Sequence, residues 1–233
     1  VPDNIFSTYY LPEDFENMKI LTDEKLFELL DADFAWRRKE LSFIVSSLYL
    51  APPKNIDTYL RVGVTMLYAH WQGYISNSGN WYINYLKQKK LNYEDMTDNF
   101  ITLALKQRLK SCGNTSKTII HYEVVNILRN ESLNAVDLPH KNGIETTSNL
   151  NYDILEDVLF TLGLNNSRYE LKKHMINFTL LESRNKIVHG ERYCIGKEEF
   201  FILHQDVLEM LEYFRDQIID AVRNKSYLRN NRH

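Results

Sequence analysis

Thr22-Asp23-Glu24-Lys25-Leu26-Phe27-Glu28-Leu29-Leu30 decides the fold class. Thr22 supplies a capping hydroxyl, and Asp23 and Glu24 place negative charge in a first helical turn. Leu26, Leu29, Leu30, Phe34, Leu41, Ile44, Val45 and Leu48 then recur at helical spacing. Pro52-Pro53 closes this first helix. The surrounding chain agrees. Its 233 residues hold only 8 Gly and 5 Pro, and no Pro falls between Pro53 and Pro139 or after Pro139. Sandwiches and barrels need a turn every ~8–12 residues, mostly built on such residues. An all-α fold is therefore expected, with 44% apolar and 25% charged residues enough for a proper core.

Further along, Asn55 to Asp57 starts a second helix through Leu60, Val64, Leu67, Tyr68 and Trp71. Asn77-Ser78-Gly79-Asn80 offers a break, and Trp81 to Leu91 resumes the pattern. Two shorter amphipathic segments cover Asp98 to Leu109 and Thr118 to Leu128. Residues 131–150 form the most polar loop. Asn151 to Leu162 reads as a short helix closed by Gly163. Ser167 is expected to cap one long helix running to His189, where Gly190 stops it. A small hairpin around Gly196 and a last helix from about Gln205 to Asn224 complete the reading. The expected organisation is an arm over residues 1–21 and one helical domain over 22–225. That domain has room for an insertion at 77–150, and a basic tail spans 226–233.

Composition narrows function. A net charge of -3 disfavours a broad basic coat for nucleic acid, though not a local basic cleft. Cys112 and Cys194 make neither a disulfide framework nor a thiolate metal site. The start, Val1-Pro2-Asp3-Asn4, lacks a basic and then apolar leader. Leu41 to Ala51 is half the length a bilayer requires, so a soluble, cytoplasmic protein without membrane contact is expected. There is no Gly-rich phosphate loop, His-Glu-x-x-His or Gly-x-Ser-x-Gly, and neither metal nor cofactor is implied.

What remains is Arg184-Asn185-Lys186-Ile187-Val188-His189-Gly190. Imidazole can take a proton from a ribose 2′-OH or give one to a leaving 5′-oxygen. A guanidinium presents a planar fork of donors to phosphate oxygens and stabilises the charge that builds during attack. Asn185 could orient the imidazole or hold a phosphate oxygen. The bare spacing is not specific, since Arg168 and His174 repeat it; a solvated helix face explains either pair as well. Geometry adds a constraint: five residues on a straight α-helix turn side chains about 140° apart. His189 instead shares a face with Asn185 and Glu182. A second copy of the helix could bring two Arg and two His into one cleft.

The Arg184-Asn185-x-x-x-His189-Gly190-Glu191 stretch resembles the signature of HEPN-domain proteins, a superfamily that includes many metal-independent RNases. Leu67-Tyr68-Ala69-His70-Trp71-Gln72-Gly73-Tyr74 is similar to the "HWEGF"-type stretch of the MAE-type prokaryotic branch. Ser148-Asn149-Leu150-Asn151 with Leu162-Gly163-Leu164 resembles the segment that precedes the Arg–His helix there. The resemblance covers roughly residues 60–220. It implies a bundle of about four core helices that forms a homodimer around an RNA cleft. It implies endoribonuclease activity leaving a 2′,3′-cyclic phosphate and a 5′-OH. It also implies a toxin–antitoxin or antiphage defence setting with a partner protein. Arg184 and His189 match the catalytic pair, and Asn185 the polar residue beside the Arg. Lys173, Lys186 and Arg192 are candidate RNA contacts; Lys173 lies eleven residues before Arg184, which a straight helix returns to the same face. His70 and Glu182 are candidate supporting residues, although the preferred reading of His70 and Trp71 is as core or helix-packing residues. Gln72 stands where the branch carries Glu. Glu191 stands where toxins silenced by nucleotidyl transfer carry Tyr, so that form of silencing is not expected. A non-catalytic HEPN module and an unrelated helical adaptor are the rival readings.

Overall fold

The computed structural model describes residues 19–130, 132–139, 143–144, 146 and 149–229. Residues 1–18 of the expected arm, Ser148 of the resembling segment and residues 230–233 of the tail lie outside the described residues. Among the described residues there is no β-strand, only two isolated antiparallel bridges, Asn92 to Ala135 and Met96 to Leu228.

Helix α1 spans Asp23–Leu50, and the Thr22 hydroxyl accepts from the Lys25 N–H at 3.2 Å as a cap should. Leu26, Leu30, Leu41 and Leu48 are its buried stripe. Helix α2 spans Ile56–Gln88 without interruption. The expected break at Asn77–Asn80 does not occur, because those residues make tertiary contacts in place of a turn. The Asn80 amide donates to the Ser76 carbonyl (2.8 Å) and the Ile144 carbonyl (3.3 Å), and its oxygen accepts from the Ile144 N–H (3.1 Å). Gly79 lets Ile144 lie close: a Cβ there would stand 3.0 Å from Ile144 Cγ1.

Helices α3 (Asp98–Gly113) and α4 (Thr118–Asn130) form a hairpin, and α5 (Tyr152–Leu162) packs on α3. Asn151 caps α5 by accepting from the Ile154 N–H at 2.8 Å. Gly163, at φ +67°, closes it with paired bonds from Gly163 to Phe160 and from Leu164 to Leu159.

The stretch expected as one helix from Ser167 to His189 is three pieces. Helix α6 covers Ser167–Glu170, a π-helical segment covers Met175–Glu182, and α7 covers Ser183–Val188. Ser167 does not cap; its N–H and hydroxyl are both turned to the Asn165 side-chain oxygen, at 2.8 and 2.6 Å. Helix α8 spans Lys197–Arg223, eight residues earlier than expected, and no hairpin forms at Gly196. Glu198 and Glu199 favour a helix start there, and Phe200, Leu203 and Val207 extend the apolar stripe backward.

The core is built by α1, α2, α8 and the π–α7 segment, each packed on α2. This matches the expected bundle of about four core helices. Trp71, Tyr74, Phe200, Phe214, Ile176 and Leu180 fill it, at about 1.5–3 kcal/mol for each large apolar side chain withdrawn from water. Gly63 sets the α2–α8 approach: a Cβ there would fall 2.5 Å from the Phe200 ring.

Candidate active site at the end of helix α7

Two local devices shape α7. At its start Ser183, 1% exposed, turns its hydroxyl to the Phe178 carbonyl (3.4 Å) five residues back and to the Tyr193 hydroxyl (3.2 Å). At its end the Gly190 N–H reaches the Ile187 carbonyl (3.1 Å) and the Glu191 N–H reaches the Lys186 carbonyl (2.9 Å). Those paired bonds need a left-handed residue, which Gly190 supplies at φ +83°. His189 is the last residue before that reversal and is exposed. Its imidazole makes no hydrogen bond or ion pair among the described residues.

Arg184 points elsewhere. Its guanidinium lies over the Tyr68 ring of α2, 4.7 Å from the centroid, and Nη1 donates to Asn185 Oδ1 at 2.8 Å. Tyr68 is itself fixed, because its buried hydroxyl accepts from the Leu150 N–H at 2.7 Å. Burial pushes the Tyr68 phenol up, against the pull of that N–H and of the Arg184 charge, so it stays neutral. Asn177 Oδ1 accepts from the Tyr152 N–H at 2.8 Å. The 149–152 segment is thus strapped to α2 on one side and to the π segment on the other. Beyond the reversal, Arg61 of α2 donates to the carbonyls of Glu191 (2.7 Å) and Tyr193 (3.3 Å).

The fold therefore joins Arg184 to Asn185 and sets His189 apart at the helix end. Lys186 is held by Glu182 at 2.8 Å and covers the Tyr193 ring at 4.8 Å; the Glu182 carboxylate raises it above the ordinary lysine range. Arg192 is exposed. Lys173 pairs with Asp153 at 3.4 Å and lies over Tyr152 at 4.5 Å. The eleven-residue phase argument for Lys173 fails, because the π segment winds with i→i+5 bonds between it and Arg184.

His70 faces α1, two residues and roughly 200° round α2 from Tyr68. Its Nδ1 accepts from Arg37 Nη1 at 3.3 Å, so the ring is neutral with its proton on Nε2, which faces Glu40 Oε2 at 2.7 Å. Arg37 also bonds Asp33 at 2.9 Å, and Trp36 donates to Asp33 at 2.6 Å. Gly73 makes this possible: a Cβ there would stand 2.9 Å from Arg37 Nη1. The His70–Tyr74 stretch thus builds a polar knot between α1 and α2, and Trp71 is fully buried. Sequence reasoning missed Arg61, Asn177 and Tyr193 and gave Tyr68 no role; the seven-residue spacing of Arg61 and Tyr68 shows only that they share a face of α2.

The chain is thus an all-α bundle with the Arg-Asn-x-x-x-His-Gly stretch at the end of a core helix. A family model described as RiboL-PSP-HEPN matches residues 32–220, and the chain belongs to that family, a member of the HEPN superfamily. The match is to the RiboL-PSP family and does not show the MAE-type branch. No curated protein and no solved structure matches the chain. No helix among the described residues is long and apolar enough to cross a membrane. No group of three or more His, Cys, Asp or Glu among them could hold a metal ion.

Proposed function

We propose that the chain is a HEPN endoribonuclease that cleaves RNA without a metal, acting as a toxin or defence effector. The observation that carries this reading is the free, exposed imidazole of His189 on the helix whose Arg184 is held with donors to spare. The ribose 2′-OH attacks phosphorus, its proton leaves to an imidazole, and the 5′-oxygen departs with a proton from an imidazole. The products are a 2′,3′-cyclic phosphate and a 5′-OH. Arg184 binds the phosphate oxygens as charge accumulates, with Asn185 holding its fork. The exposed Lys173 and Arg192 are the proposed backbone contacts, with Lys186 beside them.

A homodimer suits this chemistry, because within one copy Arg184 rests on Tyr68 and Asn185 and no hydrogen bond joins it to His189. Val62, Phe178 and Val188 are each a little over half exposed on the elements that carry or brace the motif, which suits a second copy packing there. The His70–Tyr74 stretch supports a place near the MAE-type branch. A second reading, a non-catalytic partner-binding module, draws on the exposed Ile119, Tyr122, Val125 and Leu128 of α4. An antitoxin or defence-system partner would fit that face.

The deciding experiment incubates the protein with total RNA in EDTA, beside the His189→Ala and Arg184→Ala variants, and maps the ends. The parent should leave cyclic-phosphate and 5′-OH ends while both variants leave the RNA intact. Equal cutting by all three overturns the proposal.

A further inference from the structure

We infer that Arg61 and Tyr68 of α2 are positioning residues for the Arg184–His189 pair; this rests on the endoribonuclease reading above. Helix α7 has six residues and ends at a glycine reversal. It cannot by itself fix how an arginine at its start and a histidine past its end stand to each other. The Arg184 guanidinium and the chain just past His189 are tied instead to one face of one rigid helix. Arg61 and Tyr68 are seven residues apart, two turns, and so share that face.

Tyr68 governs the arginine. A free arginine side chain samples many rotamers, and ordering it carries an entropic cost. Here the guanidinium plane rests on a buried ring at 4.7 Å, and one donor is spent on Asn185. The ring cannot swing, because its hydroxyl is held by the Leu150 N–H. Four of the five guanidinium N–H groups are left for a phosphate. Arg61 governs the histidine. Gly190 has no side chain, and no atom stands within 4 Å of where its Cβ would be, so packing does not set the direction of the turn there. The paired backbone bonds form the reversal, and the two bonds from Arg61 to the Glu191 and Tyr193 carbonyls hold the chain that leaves it. Neither residue touches the reacting atoms; each acts through its partner.

The test measures steady-state cleavage of a fluorophore-labelled, mixed-sequence single-stranded RNA, with rates normalised to the folded fraction from circular dichroism. Tyr68→Leu and Arg61→Gln should each lower kcat by about tenfold to a hundredfold, the cost of misplacing a catalytic group by about 1 Å. KM should change less than about threefold. Tyr68→Phe keeps the ring but not the hydroxyl that anchors it and should rescue part of the loss, as should Arg61→Lys. Should Tyr68→Leu not fold, the partly exposed Arg61→Gln decides on its own. If Arg184→Ala and His189→Ala cleave like the parent, the endoribonuclease reading fails. If those two are dead while Arg61→Gln and Tyr68→Leu turn over at the parent rate, that reading stands and this inference is wrong.

Discussion

Gly190 and His70 show how one position can carry a constraint with no contact to explain it, or with several. At Gly190 there is room for a methyl group, yet φ is +83°. Gly190→Ala should therefore cost about 1–2 kcal/mol through the backbone alone. A urea titration checks this: the midpoint should fall while the slope stays constant. His70 is the opposite case, 2% exposed and surrounded. Burial first, and the Arg37 charge second, hold its pKa down at about 4, against 6.5 for a free imidazole, while the Glu40 carboxylate facing Nε2 pulls the other way. Because the folded value is depressed, the unfolded chain takes up the extra proton between those limits. Stability is then fully present above about pH 6.5 and declines as pH falls toward 4, by about 3 kcal/mol at most. Chemical denaturation at pH 4.5 and 7.0 should show a smaller difference for His70→Gln than for the parent. An unchanged difference would assign the acid sensitivity to other groups.

Among the elements, α2 has the most demanding neighbours. Gly63 sits where a Cβ would strike the Phe200 ring at 2.5 Å, and α8 presents that ring from a well-filled core. Gly63→Ala gains helix propensity of ~1 kcal/mol but must push the ring aside, which costs about 1–3 kcal/mol. We expect a net loss, seen as a lower melting temperature; a rise would mean that α8 shifts freely. Local signals made α1 and α5 legible in the sequence, since Thr22, Asn151 and Gly163 act on residues three to five positions away. The continuity of α2 was not legible. Asn80 is a turn former by composition, and only the distant Ile144 backbone turns its amide into a tertiary anchor. The π winding before α7 was hidden for a similar reason. Its residues are ordinary helix formers, and the wider turn goes with the tertiary packing of Ile176, Leu180 and Leu181 and with the Ser183 bond to Phe178.

At the scale of the whole molecule, the helical bundle followed from sparse glycine and proline and from the 3.6-residue period. The site was half legible. Arg184, Asn185 and His189 lie within six residues, and their chemistry can be read in order. Arg61 and Tyr68 lie more than a hundred residues upstream, and no local pattern ties them to α7. The proposed dimer has its own test: cleavage per chain should be constant at high protein concentration and fall on dilution, with sedimentation showing the dimer dissociating over the same range. Activity per chain that ignores dilution, from a species that sediments as a monomer, would remove the second copy from the proposal. Helix α2 meets every other core element and runs for about 50 Å. Its central amides should thus exchange with solvent only when the whole protein opens. Turnover and folding are then linked through a population. A variant that merely weakens the core leaves each intact molecule working at full speed and reduces how many intact molecules there are.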